Sequence, residues 1–243
     1  MQPRSITAAI LALATAAALS ACSDDDNKTP TGTTNNTTTV RFFNATTSSL
    51  SLDVAQNGTV GTGNGNIAFG KASNCTKVSA TNPQLTVRQA GSTTNLTGFA
   101  PSFAANGTYT VLVTGTAASP VFTTLNDAFT APTAGNAAIR IVNATTSATT
   151  GAGNWDIYVN PGTTPGTPNA TAVGRLTASS YLTVPAGQAN TIRLTNAGQT
   201  TALQTISVPS MTAGTVQTIV VTDAATAGGT TLQTFTIPSC STT

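Results

Sequence analysis

The sequence predicts an all-β protein: two tandem Ig-like antiparallel β-sandwich domains behind an N-terminal signal peptide and a flexible tether. Three observations predict it. Only 7% of the residues are charged, against about a quarter in ordinary domains, and threonine fills about a fifth of the chain. A chain rich in Thr, Val and Gly and poor in Leu, Lys and Glu has little helix propensity and ample strand propensity. Short apolar segments alternate with polar positions, as in Leu85 and Val87 against Thr86 and Arg88, and Ile192 and Leu194 against Arg193 and Thr195. That period of two, cut by Asn-Gly, Ala-Gly and Pro-x-Gly turns, is the pattern of sandwich strands with one apolar and one wet face. Finally, the pattern occurs twice.

Taken in order, the chain opens with Met1 to Ser5, which carries Arg4, and continues into an Ala-, Leu- and Ile-rich run to Leu19. A basic start followed by an apolar run too short to cross a bilayer comfortably reads as a signal peptide over residues 1–21. Leu19-Ser20-Ala21-Cys22 resembles the lipobox of bacterial lipoproteins. The resemblance implies cleavage before Cys22, diacylation of its sulfur and acylation of its new amine. Several acyl chains on one residue give a stable hold where one chain is marginal. Ser23 after the cysteine, by the same resemblance, directs the protein to the outer membrane, facing the periplasm or the cell surface. Residues 22–39 are then the lipidated cysteine and a tether of Asp, Asn, Thr, Gly and Pro that buries nothing.

About 220 residues follow the signal peptide, enough for one large or two modest domains. The repeat decides for two. Val40-Arg41-Phe42-Phe43-Asn44-Ala45-Thr46-Thr47 returns as Ile139-Arg140-Ile141-Val142-Asn143-Ala144-Thr145-Thr146, and Leu52-Asp53-Val54 returns as Trp155-Asp156-Ile157. Ala90-Gly91-Ser92-Thr93-Thr94 likewise returns as Ala197-Gly198-Gln199-Thr200-Thr201. A spacing of roughly 100 residues means duplicated domains and not a solenoid. The first domain is placed at 40–128 and the second at 137–243, joined by a linker at 129–136 that contains Pro132 and Gly135. Strands are expected near 40–44, 50–56, 67–69, 75–78, 84–89, 95–99, 108–114 and 121–125. In the second copy they are expected near 138–143, 155–160, 172–176, 180–184, 190–195, 202–208, 215–222 and 231–237.

A Val-Arg-x-x-Asn-Ala opening, the x-Asp-Val/Ile strand that follows, the Ala68-Phe69-Gly70 segment and the Pro185-Ala186-Gly187 turn resemble the DUF4397 family of bacterial envelope proteins, which often occur as tandem pairs behind a lipoprotein signal. The resemblance runs from about Val40 to Ile237. It implies fold and location and carries no catalytic residues. The chain departs from the usual pattern at Asn44 and Asn143, which stand where His is common, and in the Gly-rich stretch from Asn57 to Asn66.

The candidate chemistry is sparse. Cys75 and Cys240 remain once Cys22 is lipidated, and an even pair in an oxidising compartment is expected to form a disulfide; the alternative is two unrelated buried thiols. Arg41 and Asp53 recur as Arg140 and Asp156, on strands that could form a hairpin. They are either a ligand site or, more simply, cross-strand pairs or carboxylates satisfying turn amides. Trp155 takes the place of Leu52 and is assigned to the core, which leaves Tyr158, on the opposite face, as the exposed aromatic for a glycan. With no His there is no Ser-His-Asp triad and no common zinc site. Nor are two carboxylates placed to face each other across a cleft. No enzyme activity, cofactor or metal is expected, and without a basic stripe nucleic acid is not an expected partner. The expected role is that of a membrane-anchored structural, adhesive or protein-interaction module. A carbohydrate-binding or substrate-capture lipoprotein using Tyr158, Asp156 and Asp53 is the alternative.

Overall fold

The alternating segments fold as strands, and the two halves of the repeat fold alike. The computed structural model describes residues 36–47, 50–116, 118–146, 153–163, 165–224 and 231–240, which belong to one compact unit. The first module contains β1 (Thr37–Asn44), β2 (Leu52–Gln56), β3 (Thr59–Val60), β4 (Thr76–Ser79), β5 (Leu85–Gln89), β6 (Thr108–Gly115) and β7 (Pro120–Asn126). The second contains β8 (Asn136–Asn143), β9 (Trp155–Val159), β10 (Ala170–Val173), β11 (Thr177–Ala178), β12 (Leu182–Pro185), β13 (Asn190–Asn196), β14 (Ala202–Val208), β15 (Val216–Thr222) and β16 (Gln233–Pro238). No helix occurs among the described residues. The expected strands at 67–69 and 95–99 are reduced to single bridges, Leu52 with Ile67 and Arg88 with Asn95.

Each module is a sandwich of an inner and an outer sheet. In the first, the inner sheet runs β4-β1-β6-β7 and the outer sheet β3-β2-β5. In the second, the inner sheet runs β11-β8-β15-β16, with β12 also on β8, and the outer sheet β10-β9-β13-β14. Pairing is antiparallel except in the centre of each inner sheet, where β1 lies parallel to β6 and β8 parallel to β15. The tight β2–β3 hairpin turns at Asn57-Gly58, both with positive φ (50° and 79°), the backbone that a two-residue Asn-Gly turn demands.

The first two strands of each module lie in different sheets and do not form the hairpin considered above. Their side chains therefore meet through the sandwich core. Val40, Phe42, Leu52, Val54, Val87, Val111 and Val113 fill the first core; Ile139, Ile141, Trp155, Ile157, Ile192, Leu194, Ile219 and Val221 fill the second. Trp155 is fully buried in the position that Leu52 holds in the first module, as its place in the repeat predicts.

A third apolar cluster lies between the modules. Phe43, Ala45, Leu112 and Leu125 from the first inner sheet pack against Val142, Ala144, Val220 and Ile237 from the second. The central strands of the inner sheets are thus covered on both faces, and an exposed face is left only to the outer sheets. The described residues form four layered sheets. Val111-Leu112-Val113 and Ile219-Val220-Val221 are continuous apolar runs, the mark of strands covered on both sides.

Gly70 shows how closely the two modules approach. Its φ is +74°, and a Cβ built there would lie 2.1 Å from the ring of Phe235 on β16 of the other module. Phe235 is held edge-on to Phe69, centroids 5.4 Å apart. Gly70→Ala is expected to destabilise the protein by about 1–3 kcal/mol, the usual cost of overpacking, measured by urea unfolding. An unchanged midpoint would show that the ring moves aside freely.

Candidate functional site

The buried charges converge on the joint between the modules. Alternation along β1 sends Val40 and Phe42 into the core and Arg41 out toward the second module; β8 does the same with Arg140. The registers match the two modules position by position: Arg41 lies beside Thr110 and that beside Leu125, while Arg140 lies beside Thr218 and that beside Ile237. Arg41 Nε donates to Thr110 Oγ1 at 2.8 Å and Arg140 Nε to Thr218 Oγ1 at 3.1 Å. Each guanidinium then crosses the joint. Arg41 Nη1 donates to the carbonyl of Pro238 at the end of β16, and Arg140 Nη1 donates at 2.7 Å to the carbonyl of Asn126 at the end of β7. The reciprocity, i to j and j to i, is that of a two-fold interface, here built within one chain.

One residue breaks the symmetry. Asp127, just past β7, receives Thr110 Oγ1 at 2.6 Å, Arg140 Nη2 in a close ion pair, and Arg41 Nη2 at 3.5 Å. The matching position past β16 is Ser239. Two guanidiniums therefore share one carboxylate, all three side chains being at most 3% exposed. Burial pushes the Arg41 guanidinium below its ordinary value; Asp127 opposes this and Arg140 adds to it. Tyr181 lies under Arg140, 5.1 Å from centroid to guanidinium carbon, and is in ring contact with Phe129 at 5.7 Å. Burial raises its phenol above the ordinary value, with Arg140 pulling the other way and Asp127 adding to the rise.

Cys75 occupies in the first module the place of Tyr181 in the second, since Ser73 and Ser179 bond the facing strand identically through Phe42 N and Ile141 N. Cys75 is bonded to Cys240, with Cα atoms 5.9 Å apart across 165 residues. The expected disulfide is present, and it pins the end of the second module to the first. The joint is therefore closed by a disulfide on one side and by the Phe129–Tyr181 contact on the other.

The remaining candidates are local fasteners. Asp53 does not meet Arg41; its carboxylate accepts Asn66 N at 2.8 Å and Gly91 N at 3.0 Å. Asp156 accepts Ala172 N at 2.9 Å and Gly198 N at 2.8 Å. Of the readings open at the sequence level, the structure selects carboxylates that satisfy turn amides. Asp223 likewise holds Thr146, accepting its N at 2.6 Å. Asn44 and Asn143 are fully buried, each donating to two carbonyls and accepting from the threonine two residues on. Tyr158 is a correction: it is only 6% exposed and offers no open ring for a sugar. Alternation does turn it away from Trp155, yet the outer sheet of this module is itself covered there. The exposed ring is Phe129, at 45%. Cys22 lies outside the described residues.

The sequence reading missed Asp127. The signal available was its position: a lone acid immediately after a strand, in a chain with so few. No group of three His, Cys, Asp or Glu side chains able to hold a metal occurs among the described residues.

Residues 38–150 match the model of DUF4397, a domain of unknown function. The match spans the first module and runs on through β8 of the second. No curated protein matches the chain.

Proposed function

We propose that this protein is a lipid-anchored component of a bacterial cell envelope, with two tandem DUF4397 modules acting as a rigid structural or adhesive element that contacts a partner protein. The anchor rests on Leu19-Ser20-Ala21-Cys22 behind an apolar run and ahead of a polar tether with no apolar residue. The tandem reading rests on the shared strand order and the paired motifs of the two halves. The observation that carries the role is the use made of the buried charges. Asp53, Asp156 and Asp223 fasten loops, and Arg41, Arg140 and Asp127 fasten module to module. A molecule that spends its ionisable groups on rigidity is suited to holding a shape at a distance from a membrane. The carbohydrate-binding alternative loses Tyr158 and would have to use Phe129 instead.

Cys22→Ser tests the placement. In a cell fractionation the native protein is expected in the membrane pellet and to need detergent for release, whereas the variant is expected in the soluble fraction. Retention of the variant in the membrane to the same extent would refute the anchor and, with it, the proposed role.

A further inference from the structure

The geometry points to a binding site for a small oxyanion, of the phosphate or carboxylate type, in the cleft on the Arg41 side of the joint. The two-fold match between the modules gives the reason. On the Arg140 side the guanidinium has a close carboxylate, Asp127; on the Arg41 side the matching residue is Ser239, and Asp127 reaches Arg41 only at 3.5 Å. Arg41 directs three donors to protein oxygens, at Thr110, Pro238 and Asp127, out of the five that a guanidinium carries.

This half-neutralised guanidinium lines a cavity of about 520 Å³ that also takes in Lys71, Asn74, Cys75 and Ser239. The lining holds two cations and no carboxylate. Neither the Lys71 ammonium nor the Ser239 hydroxyl has a hydrogen-bond or ion-pair partner among the described residues. A buried cation short of counter-charge, a second cation free to swing in and a hydroxyl at the place of the missing carboxylate are the components of an oxyanion site. The inference does not rest on where the protein is anchored.

Isothermal titration of the full chain, disulfide intact and at constant ionic strength, tests it with inorganic phosphate in one arm and acetate in the other. Saturable one-to-one binding of at least one anion is expected, and the stronger arm tells a phosphate ligand from a carboxylate. Lys71→Met, at an exposed position, is expected to weaken the dissociation constant tenfold or more. Ser239→Asp, which restores the second carboxylate, is expected to abolish binding. Should Ser239→Asp fail to fold by near-ultraviolet circular dichroism, Lys71→Met decides alone. No saturable binding of either anion, or binding that Lys71→Met leaves within twofold, overturns the inference.

Discussion

Asp127→Asn is expected to lower the unfolding free energy by about 3–5 kcal/mol, the usual cost of removing one partner from a buried charge cluster. The substitution keeps the shape and removes the charge. It leaves Arg41 and Arg140, both buried, facing each other with no carboxylate between them. Equilibrium urea unfolding with the disulfide intact gives the number. A companion variant separates the cost of an orphaned charge from the worth of the cluster. Arg41→Met, Asp127→Leu and Arg140→Met together remove every charge, and such replacements are often neutral or stabilising by about 1–4 kcal/mol. If Asp127→Asn costs less than about 1 kcal/mol, in the range of exposed pairs, the joint is wetter than its burial indicates and the cluster does not hold the modules together.

Removing the Cys75–Cys240 bond is expected to cost about 2–5 kcal/mol. The bond closes a loop across 165 residues, and in the chain-entropy model such a loop restricts the unfolded chain by about 5 kcal/mol at 25 °C. The fold itself is expected to survive in the Cys75→Ser, Cys240→Ser double variant, because the apolar cluster and the guanidinium–carboxylate contacts between the modules do not involve sulfur. The expected result is an unchanged near-ultraviolet spectrum and a lower urea midpoint. Loss of the native spectrum at zero denaturant would mean that the bond, and not the packing, keeps the modules docked.

Much of this architecture is legible in the chain. Trp155 was placed in the core by its match to Leu52, and the inter-module disulfide by counting cysteines. Asp53 and Asp156 were readable as amide acceptors, because carboxylates near turns commonly take that role. The alternation at Leu85–Arg88 and Ile192–Thr195 belongs to the outer sheets, while the unbroken runs at Val111 and Ile219 mark the inner strands, covered on both sides. Tyr158 is buried for a related reason. Alternation tells which side of a sheet a residue faces, but not whether something covers that side.

The sequence by itself determined where the longer strands lie, that they come in two copies, and which positions in the copies correspond, since propensity, turn chemistry and period are local properties. Only the tertiary structure decided that the copies dock through their inner sheets and that Arg41 meets Asp127 rather than Asp53. The physical reason is distance along the chain. Asp127 lies 86 residues from Arg41 and 13 from Arg140, and nothing local assigns one carboxylate to two guanidiniums until the sheets have brought them face to face.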